Sequence, residues 1–208
     1  MSSFIGRFEP LWLALSTIYF PFRFAQQGAI AIDHSYFPRG AFNEDERLDH
    51  FTAHWYTEAL IAMNEPPLAN DAPSDSQPIY RFLWLRTFHH PVCARLAIHG
   101  ATGTVVLKTA SGAGGYQPGE LVLNRTVEVS ESEVQHFQNL LAAIDFWKTQ
   151  PHSDRNGCDG AQWILEGKVS DRYRVIDRWM PKDGPLRELG LYLILTLGKL
   201  DISAKEIY

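Results

Sequence analysis

Cysteine is almost missing from this sequence: Cys93 and Cys158 are the only two in 208 residues. Two thiols cannot build a disulfide framework or a four-thiolate zinc site, so neither stabilises the fold. A single bridge between them stays open, and two packed free thiols are the simpler reading. Basic runs are missing too. No stretch of Lys and Arg reaches five residues and the net charge is −5. The basic stripe that releases counterions from phosphate is therefore absent, and no nucleic acid partner is expected. Long apolar runs are also scarce. The most extended, PLWLALSTIYFPF at 10–22, falls short of the roughly 20 residues that span a bilayer. One Arg precedes it, and Ala29-Ile30-Ala31 has the small-residue pattern of a cleavage site. Glu9 and Pro10 interrupt its start, which favours an amphipathic or buried N-terminal helix and a cytoplasmic location over a periplasmic or envelope-anchored one. Residues 10–31 remain the route by which this chain could associate with a membrane.

What is present is ordinary globular material with extra rings. Hydrophobic residues make up 45% and aromatic residues 12%, six of them Trp, enough for a large core or for a recognition surface. The expected organisation is an N-terminal apolar segment, 1–42, and a single domain, 43–208.

Residues 43–67 predict a helix, capped by Asn43 or Asp45 and stopped by Pro66-Pro67. Leu48, Phe51, Trp55, Ala59 and Ala62 recur at helical spacing and predict its buried stripe. Glu46, His50, His54 and Glu58 then fall on a solvated face, as charge pairs at four-residue steps. From Tyr80 the period becomes two. YRFLWLRTF (80–88) is apolar on both faces, like a central strand. VCARLAIH (92–99), TVVLKT (104–109) and ELVLNRTVEV (120–129) follow across short turns, which favours antiparallel hairpins. Ser130 with Glu133 three residues on reads as a capping box, opening a helix with the stripe Val134, Phe137, Leu141, Ile144 and Trp147. AQWILEG (161–167) and RYRVIDRW (172–179) form a hairpin. A last helix begins near Pro185 and is apolar almost all round. The class is α+β: about six mainly antiparallel strands with three helices packed on one face, in the order α-β-β-β-β-α-β-β-α.

The candidate chemistry is thin. HSDRNGCDG (152–160) places Asp154, Asn156 and Asp159 near one another, but an EF-hand fails: Cys158 stands where an oxygen ligand belongs and Leu165 where the bidentate Glu should be. The acids instead suit turn hydrogen bonds at a helix-to-strand handover. His50 and His54 present two imidazoles on one helical face, the best metal candidate, without the glutamate of H-E-x-x-H. Cys158 with His89, His90 or His152 would make a nucleophile and base. His89 and His90, adjacent on extended chain, point to opposite faces and cannot serve one site. SGAGGYQPG (111–119) resembles a phosphate loop only in composition, because a strand follows it where a helix N-terminus is needed. It carries Tyr116 at the tip of a flexible loop suited to a partner. Arg172, Arg174 and Arg178 share one strand face and could hold partner carboxylates.

FLWLRTFHHPV, GAGGYQPG, DGAQWILEG and VIDRWMPKDGPLRELGL together resemble segments of a group of uncharacterised bacterial proteins, across roughly residues 48–197. The resemblance implies a bacterial, single-domain protein and carries no assigned activity or catalytic residues. With no coherent catalytic set, no cofactor is expected. The reading is a non-enzymatic domain that binds another protein through Tyr116, Arg172, Arg174 and Arg178, as an immunity or accessory protein would. The alternative is a metal-dependent or cysteine hydrolase built on His50/His54 or the Asp154–Asp159 loop.

Overall fold

The protein is described by a computed structural model, which describes residues 36–69, 77–152, 157 and 159–208. The expectations placed on residues 10–31, and on Asp154, Asn156 and Cys158, lie outside the described residues.

The element order is the one the periodicity predicts. Helix α1 (Glu46–Ala62) precedes strands β1 (Ile79–Arg86), β2 (Val92–His99), β3 (Thr102–Ala110) and β4 (Leu121–Val129). Helix α2 (Glu131–Ala143) follows, then β5 (Ala161–Val169), β6 (Arg172–Trp179) and α3 (Pro185–Leu191). All six strands belong to one antiparallel sheet in the order β4-β3-β2-β1-β5-β6. The fold is α+β. The chain lays down β1 to β4 as a meander, and α2 then carries it back across the sheet so that β5 pairs with β1. Local chemistry starts that crossing: the Ser130 N–H and Oγ both donate to Glu133 Oε2, at 2.9 and 2.7 Å, which satisfies an orphan donor at the helix start.

Two cores result. On one face α2, α3 and the segment after α3 cover Phe82, Trp84, Leu96, Leu107 and Trp163, with Val134, Phe137 and Leu141 supplying the predicted stripe of α2. On the other face α1 covers Leu83, Leu85, Cys93, Ile164 and Val175. Helices therefore pack on both faces of the sheet, not on one. Tyr36, Phe37 and Phe42 are buried in this second core against Tyr56, so this stretch, assigned above to the N-terminal segment, packs with the domain.

Helix α1 is turned relative to its apolar pattern. Its buried residues are Asp49, Ala53, Tyr56, Ala59 and Leu60, whereas Leu48 and Phe51 are 55% and 66% exposed. The buried stripe is displaced by one position, about 100° round the helix. Asp49 explains the rotation. Its carboxylate accepts from the backbone N–H of Gly40 (2.8 Å), Phe42 (2.8 Å) and Asn43 (3.2 Å), and such charge-assisted bonds make a buried Asp tolerable. The last helix departs from expectation too. After α3 the chain widens into a π-helix, Tyr192–Leu197, closed by Gly198 N–H to Leu193 O at 2.9 Å.

Candidate functional site

The site grows from the Gly-rich loop. Ser111 N–H bonds Glu120 O (2.8 Å), Gly112 N–H bonds Pro118 O (2.8 Å) and Ala113 N–H bonds Gln117 O (3.0 Å). The loop is thus a small hairpin rather than the flexible excursion its composition suggests. It lies flat on the β1–β2 corner, where Gly114 N–H reaches His89 O at 2.9 Å and Gly115 N–H reaches Thr87 O at 3.2 Å. The glycines are required by this approach: a Cβ on Gly114 would stand 2.7 Å from Arg86 N, and one on Gly115 would stand 2.9 Å from Thr87 Cα. From the other side the Trp55 indole N–H of α1 donates to Gly114 O at 2.7 Å.

Fixing the loop in this way presents rings to solvent. Tyr116 is 63% exposed and Phe88 60% exposed, with centroids 6.2 Å apart. Beside them Phe51, His54, Trp55, Glu58 and Gly115 line an open groove of about 240 Å³. His54 Nε2 and Glu58 Oε1 lie 3.5 Å apart on its rim, both half exposed. Of the four-residue pairing predicted for α1, the His54–Glu58 step is present, beside exposed Phe51.

The other predicted residues disperse. Arg172, Arg174 and Arg178 do share a face, but the connection after α2 occupies them. The Arg172 guanidinium sits 4.3 Å over the Trp147 ring. Arg174 donates to Thr149 O, and Arg178 donates to Pro151 O (3.0 Å) and Gln150 O (2.5 Å). His89 and His90 lie in the corner between β1 and β2 rather than on extended strand, and take different partners: His89 Nδ1 meets the Tyr208 hydroxyl at 2.7 Å, and His90 Nδ1 meets Gly112 O at 2.8 Å. Among the described residues no group of three or more His, Cys, Asp or Glu is placed to hold a metal ion, and His50 and His54 gain no third ligand. Asp159 is exposed, and the handover into β5 is tied by its neighbour instead. Gly160 N–H donates to Thr87 Oγ1 (3.0 Å), and Thr87 N–H donates to Gly160 O (2.8 Å). A side chain at 160 would collide with Trp179 and Met180.

The sequence matches no protein-family model and no curated protein. No helix among the described residues is long and apolar enough to cross a membrane.

Two buried ionic features sit under α1, and periodicity did not reveal either. In the first, Arg81 grips Glu166 with two bonds, Nε–Oε2 at 2.6 Å and Nη2–Oε1 at 2.8 Å. Glu65 joins it, with Arg95 Nε at 2.9 Å and Lys108 Nζ at 2.7 Å, the latter off the hydrogen-bonding direction. The cations also satisfy carbonyls past the end of α1: Lys108 donates to Asn64 O (2.8 Å) and Arg81 to Pro66 O (2.5 Å). Burial alone would lower the Arg81 pKa, but Glu166 and Glu65 outweigh it and hold the guanidinium above its ordinary value. Cys93 lies within this field. Burial, with Glu65 adding to it, pushes its thiol well up, so it stays protonated and is no nucleophile.

The second feature joins α1 to β6 through the Tyr56 hydroxyl, which donates to Asp177 Oδ2 at 2.7 Å. Burial pushes the Asp177 carboxyl up to about 6, against the lowering pull of the Tyr56 bond and of Arg178. In the unfolded chain an Asp titrates near 3.9, so between these values the folded state holds the extra proton. Its stability is then fully present at the acid end of that window and lost as pH rises through about 6. Asp177→Asn keeps an acceptor for Tyr56 and removes the buried charge. Urea denaturation should find it more stable than wild type by on the order of 2 kcal/mol at about pH 7.5, with the gain vanishing at about pH 4. An equal gain at both pH values would show that ionisation is not the cause.

Proposed function

We propose that this is a non-enzymatic bacterial binding protein that docks another protein on the surface formed by α1 and the 111–119 hairpin. The observation that carries this reading is a set of exposed rings: Phe51 on α1, in the groove that Trp55 and Gly115 also line, Phe88 on the β1–β2 corner, and Tyr116 on a hairpin held by backbone bonds. Rigid aromatic side chains give large contact area at low entropic cost and dominate binding energy where they are found. The net charge of −5 and Glu58 on the rim favour a partner that is basic around an apolar or aromatic anchor. An immunity or accessory role, with this surface masking a functional region of the partner, fits the same chemistry.

The test is affinity capture from the native host with quantitative mass spectrometry, comparing wild type with the double variant Phe51→Ser/Tyr116→Ser. Wild type should recover one stoichiometric partner. The double variant should bind it at least about 30-fold more weakly, as loss of two anchors implies. Both side chains are exposed, so the melting temperature should not move. Equal recovery by the two proteins, or no stoichiometric partner for either, overturns the proposal.

A further inference from the structure

The sheet has two edges, and the chain treats them differently. Along β6 the segment 149–151 lies against the strand: Asp177 N–H donates to Pro151 O at 2.6 Å, and Arg174 and Arg178 bind the carbonyls of Thr149, Gln150 and Pro151. Along β4 no described residue does so. Among the described residues β4 pairs only with β3, and its one side-chain bond runs from Arg125 to Lys199 O at 2.7 Å. Val122, Asn124, Arg125, Thr126 and Glu128 are all exposed.

Edge strands are ordinarily protected by brevity, Pro, Lys, a mid-strand bulge or a covering segment. β4 has nine residues, no Pro and no Lys, and its charges are limited to Arg125 and Glu128. Its register irregularity falls at the start, opposite Thr109/Ala110, which leaves Leu123–Val129 regular. Such an edge repeats free N–H and C=O groups that another extended backbone satisfies.

We infer that the occupant is β4 of a second copy, paired antiparallel about a two-fold axis at Thr126, so that two sheets join into one. A second copy brings a strand that is already extended, so pairing orders no disordered chain. A two-fold perpendicular to the sheet sets residues of the same face opposite one another. With Thr126 on the axis, Asn124 of one copy faces Glu128 of the other, Arg125 faces Val127, and no like charges are directly opposed. Centring on Arg125 would oppose two guanidinium groups, which is unfavourable. β4 carries one Arg and one Glu, so its edges do not repel although each whole chain is acidic. Pairing two strands buries less than the roughly 1,200 Å² of a tight complex, so the dimer should be weak.

Sedimentation equilibrium on the full chain tests this. The wild-type mass should climb from one chain toward two as concentration passes through the micromolar range to about 200 µM. Thr126→Lys and Thr126→Glu should each stay single throughout, because like charges then meet on the axis. An equimolar mixture of the two should regain the dimer, which also shows that both variants kept their fold. A wild-type chain that stays single at the highest concentration overturns the inference and leaves the edge to a strand of another protein. A dimer that Thr126→Lys does not weaken, or a mixture that fails to recover it, overturns it as well.

Discussion

Glu166→Gln is expected to lower the stability of this protein by about 3–5 kcal/mol, the usual cost of breaking a fully buried ion pair from one side. The carboxylate accepts two bonds from Arg81 and one from the Tyr173 hydroxyl at 2.9 Å, and both charged side chains are wholly inaccessible to water. The cluster holds three cations, Arg81, Arg95 and Lys108, against the two carboxylates Glu65 and Glu166. Removing one carboxylate doubles the uncompensated positive charge in a site closed to water, where charge is weakly screened. Guanidinium denaturation measures the loss. The double variant Arg81→Leu/Glu166→Leu should be less damaged than the sum of its two single changes by at least about 2 kcal/mol, because it removes both members of the pair and leaves the net charge of the cluster unchanged. Additivity within about 0.5 kcal/mol would mean the pair is not coupled.

Trp163→Ala should cost a similar amount, about 3–5 kcal/mol, because it empties the largest volume at the centre of the α2/α3 face. The Trp163 ring packs on Phe82 and Trp84, with centroids 5.4 and 5.3 Å away, and lies under Arg187. Its indole N–H donates to Tyr208 O at 3.1 Å, beside the same bond from Trp84 at 3.2 Å. The change therefore also loosens the hold on residues 206–208, and trypsin should cut after Lys205 faster in the variant under native conditions. Trp163→Phe separates the two effects: it keeps most of the packing and loses one hydrogen bond, for about 1 kcal/mol. A Trp163→Ala protein as stable as Trp163→Phe would show that the ring is not central to the core.

The strands were legible because each declares itself locally, by alternation and by short turns, and α2 because Ser130 and Glu133 announce its start. The two-sided burial of β1 was legible from its apolar run, but Arg81 within that run was not read as an ion-pair partner. Its mate lies 85 positions away, and pattern within a strand says nothing about register across one. The facing of α1 was misread for a related reason. Hydrophobicity favours Leu48, Phe51 and Trp55 as the buried stripe, whereas three backbone donors from residues 40–43 pull Asp49 inward, which turns Leu48 and Phe51 out and leaves Trp55 half-buried. The exposure of Tyr116 was legible from its place at a loop tip. The exposure of Phe51 and Phe88 was not legible, because an exposed aromatic and a core aromatic look alike in sequence. The arginines of β6 share the face expected of them, but only the fold shows that residues 147–151 occupy it.

Site-specific photo-crosslinking in the native host tests the binding surface most directly. A photoreactive residue at Phe51 or at Tyr116 should capture the same discrete partner. The same residue at Asp171, exposed at the turn between β5 and β6, should capture none. Adducts at Asp171 that match those at Phe51 and Tyr116, or no adduct at either ring position, would contradict the account.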